Sequence, residues 1–293
     1  MPAPLSPSEL IVNPDGSIYH LNLRPEQIAP TVILVGDMGR VARISRHFDH
    51  IEHIVQRREF LTHTGTCGGI PVSVLSTGIG TDNIDIVINE LDAAVNIDLR
   101  TREIRAHRKS LNLIRIGTSG ALQPDIPVGT PVVSEYGLGF DGLLYYYDFD
   151  YSQDELETMR AFGEQVKWPE ALAKPYLVRC APELMSVIGR DMPSGITATA
   201  TGFYGPQGRR LYLTPRDTTL NQQLTDFRHG RLRVMNYEME TSALYGLGRL
   251  MGHRCLTCCA VIANRIRQEY SQDPKVVVDQ LIEVVLDRLK DLH

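Results

Sequence analysis

No run of apolar residues in this 293-residue chain approaches the roughly 20 needed to span a bilayer as a helix. The N-terminus, MPAPLSPSELIVNPDGS, has neither the basic start nor the apolar core of a secretion signal. A basic excess is missing too: 30 Lys and Arg against 35 Asp and Glu leave a formal net charge of −5. Without such a field a nucleic-acid backbone has nothing to bind, and a small anion would need a local cluster of arginines. Cysteine is sparse, and five is an odd count in a long chain, unlike the disulfide framework of a secreted domain. The cytoplasm is therefore the expected location. Internal repeats and Pro/Gly/Ser-rich linkers are also absent. A single domain over 1–293 is the simplest account, because α/β folds run to this length as one unit.

Cys255, Cys258 and Cys259, with His253 before them, are the residues that could hold a metal. They lie in RCLTCCAVIANR, which reads as a buried strand, apolar and bounded by charge. On a strand Cys255 and Cys258 point to opposite faces, poorly placed to share one ion. The expectation is no metal and packing thiols.

Short apolar runs alternate with amphipathic stretches. TVILVGD, IEHIVQRREF, GGIPVSVLSTG, LNLIRIGTSG, GTPVVSEYGLGF and SGITATATGFYG read as strands, with a turn around Cys67-Gly68-Gly69. MGRVARISRHF reads as a helix. A longer one from about Thr81 carries Ile84, Val87, Ile88, Leu91 and Val95 at helical spacing. LRVMNYEMETSALYGLGRLMG reads as a strand entering a helix. The last helix begins at Asp273-Pro274, an N-cap followed by proline. Residues 141–195 are the least patterned, with one helical run near Asp154, and the first 20 or so are expected to be extended. This pattern predicts an α/β fold with a mixed, largely parallel central sheet between two helical layers.

In such folds ligands gather at the carboxyl ends of strands. Five segments there carry chemistry: GDMGR, REF, STGIGTDN, RIGTSG and NYEMET. Gly36 lets backbone approach a ligand. Arg40, Arg58 and Arg115 are candidate anion ligands, and each alone is equally a surface or salt-bridge residue. Arg115 stands inside an apolar strand, so its buried charge requires a partner, either an acid or a bound anion. Thr118 adds a hydroxyl. STGIGTDN is a broken dinucleotide fingerprint, with Asn83 where the third glycine belongs. Glu238 and Glu240 can face one side if extended, as acid and base or as acceptors for sugar hydroxyls. Equally, they suit a solvated helix N-terminus. In FYGPQGRR, an aromatic, an amide and a guanidinium could stack on and read a planar ring.

Taken in order from His20 to the final helix, HLNL, GDMGRV, REF, STGIG, RIGTSGAL, FYxxQGR, MNYEMET and ANR resemble the uridine phosphorylase branch of the nucleoside phosphorylase family. The resemblance implies the phosphorylase-like three-layer fold and a pentosyltransferase. Its substrate would be uridine, with deoxyuridine as a further candidate, and inorganic phosphate would be the co-substrate. Neither a cofactor nor a metal is implied. Gly36, Arg40, Arg115 and Thr118 would hold phosphate, with Arg58 supplied by a neighbouring subunit. Thr118, Glu238, Met239 and Glu240 would hold the ribose, with His20 from the neighbour, whose segment 1–22 would reach across. Phe203, Gln207, Arg209, Ile262 and Ala263 would surround uracil, and Arg265 would approach it less directly. Arg115, Arg209 and Glu240 would be catalytic. Sites shared in this way imply a homodimer or a hexamer, with no nucleic acid or membrane as partner.

Three departures accompany the resemblance. Met38 replaces a usual proline. TDNID follows STGIG where GPS is usual, so the monovalent ion that Glu59 would ligate is not expected. The segments 97–110 and 141–153 are longer than in bacterial relatives. Purine-cleaving relatives carry an aspartate on the late strand, and CCAVIANRI has none. The alternatives are a purine nucleoside phosphorylase or a nucleosidase of the same fold, or a non-catalytic nucleoside-binding protein.

Overall fold

The apolar run TVILV sets the centre of the architecture, because all five residues are buried, as befits a strand covered on both faces. In the computed structural model, which describes residues 3–292, it forms β1 (Thr31–Val35). The chain continues through α1 (Met38–Ser45), β2 (His50–Arg57), β3 (Phe60–Cys67), β4 (Ile70–Ser76) and α2 (Thr81–Asn96). Next come β5 (Ile97–Asp98), β6 (Glu103–Ile104), β7 (Asn112–Ala121), β8 (Pro131–Gly139), α3 (Gln153–Gln165), β9 (Tyr176–Arg179) and α4 (Pro182–Val187). The last third holds β10 (Ser194–Thr199), α5 (Leu220–Asp226), β11 (Val234–Glu238), α6 (Thr241–Leu250), β12 (Arg254–Asn264), β13 (Glu269–Tyr270) and α7 (Pro274–Leu289).

All strands but β5 and β6 join one sheet, which is mixed as expected. β7 is its pivot. Parallel β12 runs along one edge of β7, from Arg254 opposite Asn112 to Asn264 opposite Ala121. On the other edge, parallel β1 pairs only as far as Leu34 opposite Arg115, and antiparallel β11 joins only at Gly120. Between those points this edge of β7 pairs with no strand among the described residues. Because β12 also pairs with β8, β8 with β10 and β10 with β11, β7 closes a ring on one side. On the other it feeds the open run β1-β4-β3-β2. The sheet thus splits just past Arg115.

α1 packs on β1, β3 and β4, and α7 on β7 and β12, the two helices tied by Arg43 to Asp279 at 2.8 Å. α2 lies on α6, which packs across β8, β9, β10 and β12; these pairs make the outer layers. The stripe predicted for α2, Ile84, Val87, Ile88, Leu91 and Val95, is buried. Asp273 caps α7, accepting from the Lys275 and Val276 amides. Among the described residues no helix is long and apolar enough to cross a membrane.

Several elements differ from the sequence reading. IEHIVQRREF, read as one strand, breaks after Arg57, and Phe60 opens β3, most of which, LTHTGT, was left without a structure: its alternating burial is weakened by Thr and His, which hid the period. SGITATATGFYG ends as a strand at Thr199 and continues as a loop with a 3-10 turn at Gly205–Gln207. The stretch 141–195 also holds β9 and α4. The N-terminal segment is not simply extended. Val12 bridges Ile18, and Leu10, Ile18 and Leu21 enter the main core, because burying those side chains outweighs keeping the chain solvated. All five cysteines are free, and Cys255, Cys258 and Cys259 are buried.

Gly137 fixes how closely α6 approaches the sheet. A Cβ there would meet the Ser242 backbone at 2.9 Å. Gly137→Ala is expected to lower stability by about 1–3 kcal/mol through overpacking, read by urea denaturation. Unchanged stability would mean that α6 is free to shift outward.

Candidate active site

The split in the sheet opens a cleft of about 420 Å³, lined by the ends of β1, β7, β11 and β12 and by the loop after β10. That volume suits a small organic ligand. Gly36, just past the end of β1, lies at the rim of the cleft. Asp37 caps α1, accepting from the Arg40 amide at 2.9 Å, so Met38 in place of a proline leaves this turn formed. The Arg40 guanidinium reaches the unpaired edge of β7, donating to the Ile116 carbonyl at 3.1 Å, and pairs with Asp37 at 3.1 Å. Its Nε is buried and has no partner among the described residues. Burial lowers the Arg40 pKa; Asp37 opposes this and the charge of Arg115 adds to it.

Arg115 projects from β7 beside it and is only 4% exposed. Of the two kinds of partner it required, the protein supplies acids. Nη2 pairs with Glu240, Nη1 lies 3.4 Å from Glu238, and Nε has no partner among the described residues. Burial alone would lower the Arg115 pKa, but the two carboxylates outweigh it and the group is raised. Glu240 is also raised above the ordinary carboxylate range, by burial first and by Glu238, against the pull of Arg115 and of the Gly80 N–H. Two carboxylates sharing one guanidinium in a dry site add to the effect of burial. The Gly80 amide reaches Glu240 Oε1 at 2.9 Å from a backbone with φ of 100°, which glycine adopts freely.

At the far end of the cleft, Arg209 lies 3.7 Å above the Phe203 ring. It donates to Gln207 Oε1 at 2.6 Å and to the Phe203 carbonyl at 2.6 Å. Burial and then the neighbouring Arg265 push its pKa down to about 10. Gln207 is buried and Phe203 half-exposed. Arg265 lines the same end with Nη1 unpartnered, alongside Ile262 and Ala263 of β12.

Gly36, Arg40, Arg115, Thr118, Phe203, Gln207, Arg209, Glu238, Met239, Glu240, Ile262, Ala263 and Arg265 therefore all line one cleft. His20 and Arg58 do not line it. They lie together elsewhere: Arg58 sits at the β2–β3 turn over the Tyr19 ring, and His20 bonds Glu90 at 2.6 Å.

The sequence profile of the phosphorylase superfamily matches residues 30–289, most of the chain. The protein belongs to this superfamily. It is 32% identical over 258 residues to uridine phosphorylase of Thermococcus kodakarensis, spanning 88% of this chain and 81% of that one. It is 29% identical to uridine phosphorylase of Treponema pallidum, spanning 93% of each. Among solved structures, a Trypanosoma brucei nucleoside phosphorylase that shows uridine phosphorylase activity matches with a TM-score of 0.88 at 28% identity, covering 96% of this chain and 99% of that one.

This superfamily member also lines its cleft with residues that the sequence reading did not single out: Asp37, Ile79, Ser119, Gly120, Tyr237 and Tyr270. Asp37 and Ile79 lie inside the GDMGR and STGIG motifs and were reachable from them. Tyr270 comes from β13, a two-residue strand without a periodic signal. Near Glu59, Asn83 donates to its carboxylate at 3.4 Å. Among the described residues no group of three or more His, Cys, Asp or Glu could hold a metal ion.

Two adjacent guanidinium groups, each with an unpartnered buried Nε, suit a small oxyanion. Inorganic phosphate at about a hundred times its dissociation constant should stabilise the protein by about 2.7 kcal/mol, read as a rise in Tm. Arg40→Ala should abolish most of that rise, and a variant that responds like the wild type would remove Arg40 from the anion site.

Proposed function

We propose that the protein is a uridine phosphorylase, a pentosyltransferase that converts uridine and inorganic phosphate to uracil and ribose 1-phosphate in pyrimidine salvage. One observation carries the reading. A single cleft has guanidinium groups at one end, a Gln207–Arg209–Phe203 reader at the other and Glu240 between them. The names of the relatives support it.

Phosphate binds at Gly36, Arg40, Arg115 and Thr118. Glu240 accepts from the ribose hydroxyls beside Met239, and uracil stacks by Phe203 against Ile262 and Ala263. Gln207 pairs with N3–H and one carbonyl, Arg209 with the other, and Arg265 stands behind them. As the glycosidic bond stretches, positive charge grows on the sugar and negative charge on the base. Phosphate stabilises the first and captures C1′, while Arg209 and Gln207 stabilise the leaving uracil anion. The chemistry needs no metal or cofactor and no covalent enzyme intermediate; it rests on positioning and on charge stabilisation that peaks in the transition state.

His20 and Arg58 complete the site from a neighbouring subunit. Their adjacency through Tyr19, away from their own cleft, supports supply to another protomer as a pair. The enzyme therefore works as a dimer or a larger assembly, in the cytoplasm. A hydrolase of the same fold would have no use for so many guanidinium groups around an anion. A purine reader lacks its aspartate in CCAVIANRI.

Ultraviolet absorbance of uridine tests the proposal directly. Uridine should be consumed only when phosphate is present, with cytidine and inosine essentially untouched. Cleavage without phosphate, or preference for inosine, would overturn it. Arg115→Ala should lower turnover on the order of 10²–10³-fold, as for loss of one preorganised donor. Near wild-type phosphorolysis by that variant would refute its role.

A further inference from the structure

Glu238 and Glu240 stand two residues apart in the same cleft and touch the same guanidinium, yet their hydrogen-bonding capacity differs. A carboxylate has about four acceptor positions. Glu238 is held by three donors of the protein, one of them shared between its two oxygens, and faces Arg115 besides. Thr199 Oγ1 donates to Oε1 at 2.8 Å, and the Thr241 amide reaches Oε1 at 3.1 Å and Oε2 at 3.0 Å. The Glu240 amide donates to Oε2 at 2.9 Å, and Arg115 approaches Oε2 at 3.4 Å. Among the described residues the Glu240 carboxylate accepts from the Gly80 amide and from Arg115 alone.

We infer that Glu238 is a positioning residue, which holds Arg115 in place for the anion and does not bind the sugar, and that the Thr199 hydroxyl fixes Glu238 in that role. Glu238 caps the start of α6, where the helix dipole favours a negative charge. Its carboxylate is thereby fixed to the backbone of the element that carries Glu240. Thr199, at the end of β10, is fully buried. Its single hydroxyl serves both elements, donating to Glu238 while accepting from the Ser242 amide at 3.0 Å. Arg115 hydrogen-bonds Glu240 on one side and on the other faces a carboxylate locked to two elements, while Glu240 keeps free acceptor positions for hydroxyl groups. This assignment deepens the reading of the cleft as a phosphate and nucleoside site and rests on it.

Two measurements on Thr199→Val, Thr199→Ser and Glu238→Gln test the inference: the separate KM values for phosphate and uridine, and calorimetric binding of inorganic phosphate without nucleoside. Loss of the lock in Thr199→Val should weaken phosphate binding and raise the phosphate KM on the order of tenfold, as expected when a charged group is slightly misplaced. The uridine KM should change far less. Thr199→Ser should recover most of the loss, which a packing defect at the lost methyl would not allow. Glu238→Gln should shift in the same direction as Thr199→Val, and it carries the test if the valine variant does not fold. A uridine KM that rises as much as the phosphate KM or more in Glu238→Gln would place Glu238 on the nucleoside and overturn the inference, as would unaltered phosphate binding in both variants. A wild-type protein that binds phosphate but leaves uridine intact would overturn the functional reading alone, and the calorimetry would still decide this one.

Discussion

Burying Arg115 is the constraint on which the rest of the site depends. A guanidinium only 4% exposed inside an apolar strand would be prohibitive without compensation. The fold meets that demand by bringing β11 and α6 to β7 so that two carboxylates converge on it. The convergence occurs where the sheet divides. β1 leaves β7 at Arg115, β11 arrives at Gly120, and the free edge between them is where the Arg40 guanidinium bonds the Ile116 carbonyl. A continuous sheet would fill that gap with a strand. The split supplies both the room for a ligand and the polar groups to hold it.

The charge arrangement follows from the same geometry. Burial first and then the neighbouring Glu238 raise Glu240 against the pull of Arg115, while Arg40 is lowered by burial and by Arg115 in spite of Asp37. An oxyanion beside the arginines would relieve the repulsion between them. A sugar diol beside Glu240 would donate hydrogen bonds to its carboxylate. The phosphate and ribose subsites of the proposed reaction are thus electrostatically coupled through Arg115, and occupancy of one changes the cost of filling the other.

Much of this was legible in the sequence, for physical reasons that differ by residue. Arg115 was conspicuous because charge inside LNLIRIGTSG contradicts its apolar neighbours, and the contradiction itself demanded a partner. What sequence alone left open was whether the partner was an acid or a ligand, since the contact to Glu240 spans 125 positions. The α2 stripe and the Asp273 cap were readable because period and capping are local. β3 was hidden by Thr and His in its alternation, and the folded N-terminal segment by its prolines. Thr199 carried no signal at all: one threonine in SGITATAT looks like another until β10 is laid beside β11. Residues whose roles derive from pairing across strands are invisible to a reading along the chain.

The end of the cleft proposed for the base illustrates how selectivity can be built from contacts the protein makes with itself. Arg209 stacks on Phe203 and bonds Gln207, so the reader is held in shape by the protein's own contacts. Side-chain ordering, a recurrent cost of binding, is thereby met by folding. Burial and the nearby Arg265 depress the Arg209 pKa to about 10, which leaves it charged at neutrality but poorly solvated. A base with a carbonyl there restores an acceptor to an under-solvated cation, whereas an amino group would present a donor to a donor. Rejection of the mismatched base then comes from polar groups left unpaired in a dry site, a penalty far larger than a difference in shape would impose.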